Sequence, residues 1–225
     1  MRTANTKSMA CALVFLASLS LLLSALPAPP PAGDRPPARA ASAAPTSFVL
    51  KLDPEHSTVH WTLPSSLHTV HGTFLIASGA LNVDRASGRA GGEIVVNAKS
   101  GESGNDSRDS KMHKEILETA SYPDVVFHPS QVEGRVANSG PSDVKVRGTL
   151  SLHGADHEIT ALVHAELSGS TWKGSASFDV PYVDWGIKNP ANFLLKAGKV
   201  VGIEVEMAGS LESHQPAPQL SGLRH

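Results

Sequence analysis

The 225-residue chain has a single cysteine, Cys11, and it stands inside an apolar run near the start. The remainder therefore has no disulfide, no thiol nucleophile and no cysteine-based metal site. A domain of this length buries an adequate core without such staples, so the shortage does not exclude export. Basic excess is missing too. Lys and Arg total 19 against 21 Asp and Glu, a net charge of −2. Arg2, Lys7, Arg35 and Arg39 precede Ala41 with only Asp34 against them, which leaves the rest at net −5. Aromatic residues make up 5% and do not interleave with basic ones. Nucleic acid is not an expected partner of such a chain. No Gly-x-Ser-x-Gly nucleophile elbow occurs, and Ser100-Gly101 and Ser168-Gly169-Ser170 read as turns.

The one long apolar run is Met9 to Leu26, behind Arg2 and Lys7. Small residues follow it, with Ala38-Arg39-Ala40 and Ala41-Ser42-Ala43 as cleavage motifs. Residues 1–45 are thus expected to be a signal peptide and a Pro/Ala-rich extended spacer, giving a periplasmic or extracellular protein. The alternative is an uncleaved membrane anchor, since the run is just long enough to span a bilayer. Residues 46–211 are expected to form one folded domain. Residues 212–225 lack alternation, carry Pro216 and Pro218, and read as a frayed tail.

The domain is rich in period-two patterns. Phe48, Leu50 and Leu52 share a face, as do Val59, Trp61 and Leu63, and then Val70, Gly72, Phe74 and Ile76. Leu81 and Val83 follow, then Ile94 and Val96, and, further on, Val125 and Phe127. Val144, Val146, Gly148, Leu150 and Leu152 repeat the pattern, as do Ile159, Ala161 and Val163 and the run Trp172 to Tyr182. Val201, Ile203, Val205 and Met207 against Gly202, Glu204 and Glu206 give the cleanest alternation. Short strands with turn signals between them predict an all-β antiparallel sandwich or barrel.

One stretch breaks the pattern. Met112, Ile116, Leu117 and Ala120 recur at helical spacing, with Lys111, Lys114, Glu115 and Glu118 opposite. This predicts a short amphipathic helix over about 108–120, capped by Asp106 or Ser107 and stopped by Pro123. Lys111–Glu115 and Lys114–Glu118 are its expected ion pairs. A single helix among strands is expected to cover one end of the barrel.

His56 and His60, like His153 and His157, are four apart. On a strand that places them about 13 Å apart, too far to share a metal. Solvated or hydrogen-bonded histidines are the plainer reading. Arg108, Asp109 and His113 form a polar cluster at the helix entrance. It reads either as a mouth meeting a ligand head group or as a local cap and ion pair. Trp61, Phe74, Phe127, Trp172, Phe178, Tyr182, Trp185 and Phe193 are candidates to line a cavity or to pack helix on barrel.

Several short motifs occur in a fixed order. They are Asp53-Pro54-Glu55-His56-Ser57, Val70-His71-Gly72-Thr73-Phe74 with Ser78-Gly79, and Arg108-Asp109 with Tyr122-Pro123 and Phe127. Gly148-Thr149-Leu150-Ser151-Leu152-His153-Gly154 and Asp184-Trp185-Gly186-Ile187 complete the set. Together they resemble the YceI-like family across Phe48 to Leu211. Two departures stand out. Lys111 occupies a position where the family usually has histidine, and Trp185 replaces the usual phenylalanine. The resemblance implies a lipocalin-like barrel of about eight strands, exported, that binds a polyisoprenoid or similar lipid as carrier or storage protein. The missing thiol, the missing nucleophile motif and the histidine spacing add the expectation of no catalysis, no cofactor and no metal. Trp61, Phe74, Phe127, Trp185, Phe193, Arg108 and His113 are then the ligand-binding residues. Membrane proximity and dimerisation fit such a protein, and the oligomeric state stays open. The competing reading is an exported metal-dependent hydrolase or metal-binding protein using histidines at the barrel mouth.

Export has a direct consequence. N-terminal sequencing of the protein from its native host is expected to start between Ala28 and Thr46. An intact Met1 on soluble cytoplasmic protein contradicts it.

Overall fold

The computed structural model describes residues 47–191 and 196–214. The expected leader and spacer, Phe193 and the end of the tail lie outside the described residues. In chain order the elements are β1 (Ser47–Leu52), β2 (Thr58–Leu63), β3 (Val70–Asp84) and β4 (Ala90–Glu102). The helix α1 (Asp106–Lys111) follows and continues as a wider π turn, Met112–Ile116. Then come β5 (Asp124–Glu133), β6 (Gly140–Leu152), β7 (Ala155–Ser168), β8 (Thr171–Val180) and β9 (Val201–His214).

The strands form a closed antiparallel barrel of eight positions, as the alternation and the resemblance led us to expect. Strands β3 to β9 pair successively with their chain neighbours. The remaining position, between β9 and β3, is filled by β1 and β2 end to end. Strand β1 pairs with Leu81 and Asn82 of β3 and with Leu211 and Glu212 of β9. Strand β2 pairs with Phe74 and Thr73 of β3 and with Val205 and Glu204 of β9. Strand β9 thus extends to His214, three residues past the Leu211 boundary read from sequence, because Glu212 to His214 pair with Ser47 to Val49. At the other end of the long hairpin, β8 stops at Val180 because Pro181 follows.

The junction of β1 and β2 is a one-turn corner built by the Asp53–Ser57 motif. Asp53 caps it, its Oδ1 accepting from the Glu55 N–H at 3.0 Å, and Pro54 sits at the first position of the turn. His56 Nδ1 donates to Asp53 Oδ2 at 2.8 Å. That bond, then the Glu55 bond, holds the Asp53 carboxyl below its usual range. The backbone N–H of Asp53 donates to Ala208 O at 2.8 Å, and the Ala208 N–H donates to Ser57 Oγ at 3.1 Å. A buried serine hydroxyl therefore keeps the ladder to β9 unbroken where the chain turns.

Inward faces can be read from the parity of apolar residues. In β3 the inward set is Val70, Gly72, Phe74 and Ile76, then Leu81 and Val83. The switch from even to odd numbers marks a bulge between Ile76 and Ser78. In β5, Val125, Phe127 and Pro129 give way to Val132 across a bulge between Pro129 and Gln131. The β6–β7 hairpin turns at His153 and Gly154, both with positive φ (53° and 77°), the geometry of a two-residue primed turn.

Helix α1 differs from its sequence expectation in ways the structure explains. Asn105 is the cap, its side chain accepting from the Arg108 N–H at 3.0 Å. The helix ends at Ile116, not near 120, because Glu118 takes a left-handed conformation (φ 47°). Its carbonyl then accepts from Ser121 and Tyr122, so the stop precedes Pro123. Ala120 is exposed and Thr119 is buried. The acidic side chains reach other elements: Glu115 pairs with Lys188 at 3.0 Å and Glu118 with His153 at 3.3 Å. Ile116 packs with Leu150, Ile159, Val180, Tyr182 and Ile187, which closes one end of the barrel. The start of the helix is tied down at Ser103, whose backbone N–H donates to Asp109 Oδ2 at 3.1 Å and whose hydroxyl donates to Asp109 Oδ1.

Two outcomes follow for the helix. Ile116→Asp buries an unpaired charge and is expected to cost at least about 2 kcal/mol, whereas the exposed Lys114→Asp costs little. Equal melting temperatures for the two variants contradict this packing. Desolvation pushes the Asp109 carboxyl up, but its Ser103 bonds and Arg108 outweigh it, so the group lies below the ordinary 3.8. A carboxyl with a depressed folded pKa stabilises above its unfolded value and loses that contribution as pH falls below it. Asp109→Asn is therefore expected to flatten the acid side of a stability–pH curve below about 3.8, measured by urea midpoints. Parallel curves for the two proteins contradict it.

Candidate functional site: an apolar cavity with a polar mouth

The inward side chains leave a cavity of about 670 Å³ along the barrel axis. That volume is typical of a small-molecule site. The reason it is not filled lies in the strands. Ala161 and Ala165 on β7 and Ala176 on β8 stand at inward positions where a packed core would alternate small residues with large ones. Aromatic rings lie against the wall instead of crossing it. A side chain at Gly72 would meet the Trp61 ring at 2.3 Å, and one at Gly148 would meet Phe127 at 2.7 Å. The absent side chains on adjacent strands are what let these rings lie flat.

The wall is apolar from Phe48, Val83 and Val132 at the far end to Tyr182 and Ile187 at the helix end. Its polar groups are few and mostly satisfied. The Trp172 Nε1–H donates to Lys51 O at 3.3 Å, the Tyr182 hydroxyl donates to Gly198 O at 2.7 Å, and Ser142 Oγ accepts from the Ala137 N–H at 3.0 Å. Trp61 Nε1 is buried without a partner. No Asp, Glu, His or Cys lines the cavity among the described residues.

The remaining polar lining gathers at the helix end: Ser65, Asn105, Ser107, Arg108 and Lys111. Arg108 Nε donates to Ser103 Oγ at 2.7 Å and Nη2 donates to Ser103 O at 2.8 Å, so this side chain is a helix tie as well as part of the mouth. Lys111 Nζ donates to Pro190 O at 3.4 Å. The mouth is thus the one cationic part of an otherwise apolar interior.

Of the residues proposed from sequence, Trp61, Phe74, Phe127 and Arg108 line the cavity. His113 does not: it sits beneath the helix, its Nε2–H donating to Gly101 O at 2.8 Å. Trp185 does not either. Its indole stacks on His157, with centroids 3.9 Å apart and planes 4° apart, and packs against the helix-end core. Phe193 lies outside the described residues. The sequence reading missed Lys111 as a mouth residue, and it missed the small inward alanines, whose signal was present as Ala161 and Ala176 in otherwise large apolar faces. The histidines are dispersed. His56 and His164 pair with Asp53 and Asp143 on the outside, and among the described residues no three His, Cys, Asp or Glu side chains converge to hold a metal.

Several solved structures share this fold. The protein BcnA of Burkholderia cenocepacia superposes with a TM-score of 0.58 at 16% identity, over 70% of this chain and 99% of its own. A polyisoprenoid binding domain from Saccharophagus degradans, implicated in plant cell wall breakdown, superposes at 0.55 with 17% identity, over 76% of this chain and 99% of its own. No curated protein matches in sequence. The YceI-like domain model matches residues 50–212, the span from β1 to β9 that closes the barrel, and the chain belongs to the YceI-like family.

Proposed function

We propose that the barrel binds one long apolar lipid of the polyisoprenoid type, with its head at the helix end, and acts outside the cytoplasm as a carrier or store without catalysis. The observation that carries this reading is the polarity of the cavity: a continuous apolar wall with its polar side chains gathered at Ser65, Asn105, Ser107, Arg108 and Lys111, apart from Ser142. A chain threaded along that wall buries methylenes at about 0.8 kcal/mol each, so affinity needs no covalent anchor. Arg108 and Lys111 at the helix end suit a polar or phosphorylated head. The Saccharophagus neighbour, described as polyisoprenoid-binding, supports the reading by fold. Among the described residues the cavity wall carries no Asp, Glu, His or Cys, and its Tyr182 hydroxyl and Lys111 ammonium donate to the Gly198 and Pro190 carbonyls, which supports binding over turnover.

Titration with a long-chain prenol and with its phosphate tests the proposal. Both are expected to bind with a negative heat-capacity change. Phe74→Ala is expected to weaken both by about tenfold or more, since it removes aromatic contact from the wall. Arg108→Ala weakens the phosphate more than the prenol. If neither lipid binds below millimolar concentration while the barrel is folded, the reading fails. Stoichiometric zinc or nickel, rather than an apolar mass, on freshly purified protein would favour a metal site instead.

A further inference from the structure

We propose that the loops beside the mouth form a docking surface for an anionic lipid bilayer, so that the ligand passes between membrane and cavity without crossing water. The inference rests on the lipid-binding reading of the cavity and adds the surface that would load it.

Among the described residues Leu67 is the most exposed large apolar side chain, at 74%. It stands at the tip of the β2–β3 connection. Val200, 40% exposed, precedes β9 at the same end of the barrel. One exposed leucine is ordinary on a protein surface, and it is the setting of Leu67 that gives it a reading. The tip is also held in place. Ser65 bridges to Ala197, the Ser66 N–H donates to Lys196 O at 2.9 Å, and the Gly198 N–H donates to Pro64 O at 2.8 Å. Leu67 is therefore presented by a hydrogen-bonded pair of loops, and those loops also supply Ser65 and Ala197 to the cavity lining.

The charge of this surface identifies its partner. Residues 63–71 and 196–203 contain Lys196 and Lys199, both exposed, and no carboxylate. The neighbouring mouth adds Lys111 and Arg108. The exposed acids nearest these loops are Glu102, opposite Thr73 on β3, Asp106 at the helix start, Asp179 on β8, opposite Gly202, and Asp184 in the β8–β9 connection, while Glu115 is already paired with Lys188. The loops that present the exposed leucine thus carry two exposed lysines and no carboxylate of their own, beside the helix end of the apolar cavity. Lysines around a shallow apolar anchor are the chemistry that engages anionic head groups at a bilayer surface. A second copy of the chain would bring the same lysines against themselves, which disfavours it.

The test uses the chain from Ala43 onward, which holds every strand pairing of the closed barrel, so the Met9–Leu26 run plays no part. Co-sedimentation is measured with vesicles of phosphatidylcholine alone and mixed with phosphatidylglycerol. The expected result is binding to the mixed vesicles that falls with salt and drops about tenfold or more in Leu67→Asp and in Lys196→Glu/Lys199→Glu. The variants keep the wild-type melting temperature and still bind a prenol offered from detergent. Equal binding to both vesicles, no binding to either, unchanged binding by the variants, or burial of Leu67 in a concentration-dependent dimer overturns the docking proposal. Loss of prenol binding from detergent in the wild type instead overturns the cavity reading and leaves the vesicle result standing.

Discussion

A barrel closes only when every strand edge finds a partner, and here closure depends on the corner between β1 and β2. Nine strands would make a wider ring if each took its own place. The Asp53–Ser57 turn sets two of them end to end, so the ring has eight positions. The Ser57 hydroxyl takes over the backbone pairing with Ala208 where the chain deviates, and no ladder group is left open there. Eight positions fix an interior wide enough for side chains and one small ligand. Everything in the cavity follows from that radius and from which side chains point into it.

The interior is not a packed core because its inward residues are too small in some places and too flat in others. Ala161, Ala165 and Ala176 leave room that Leu or Ile would fill. Trp61 and Phe127 lie over Gly72 and Gly148 on the adjoining strands, which keeps the rings against the wall. Atoms facing such a void lose dispersion contacts that a packed interior would give them. The empty barrel is therefore less stable than its burial pattern suggests, and an apolar occupant restores the missing contacts. The same side chains that weaken the fold would give the proposed ligand its place.

Much of this architecture was legible in the sequence. Period-two alternation marked most of the strand segments, and the ordered motifs pointed to the family before any coordinates. Even the bulges were present as parity changes, from Ile76 to Leu81 and from Pro129 to Val132. The helix was legible in existence and in its buried residue Ile116, but not in its limits. Its end is set by Glu118 in a left-handed conformation, which no propensity signals, and its ion partners Lys188 and His153 come from distant strands and loops. The aromatic positions divided according to the element that carries them. Trp61, Phe74 and Phe127 alternate within strands and face inward, whereas Trp185 stands in the β8–β9 connection, where alternation says nothing about direction. His113 illustrates the same limit: a polar residue on a helix next to a cavity reads as a ligand contact until its partner, the Gly101 carbonyl, is seen.

The structure shows the local tie of the Arg108 cluster, and that tie leaves room for the head-group reading. Asp109 and part of the Arg108 guanidinium are committed to Ser103, and that commitment holds the helix over the barrel end. The same bonds fix where the rest of the guanidinium stands, beside Lys111, Asn105 and Ser107 on the cavity lining. A long side chain already anchored at two donors loses less freedom on meeting a head group than a free one would. Structural tie and, under the proposed function, head-group contact would thus be successive uses of one side chain. The polarity of the cavity rests on this helix-end group, because elsewhere along the wall Trp172, Tyr182 and Ser142 pair their side-chain polar atoms within the protein and Trp61 Nε1 is buried without a partner.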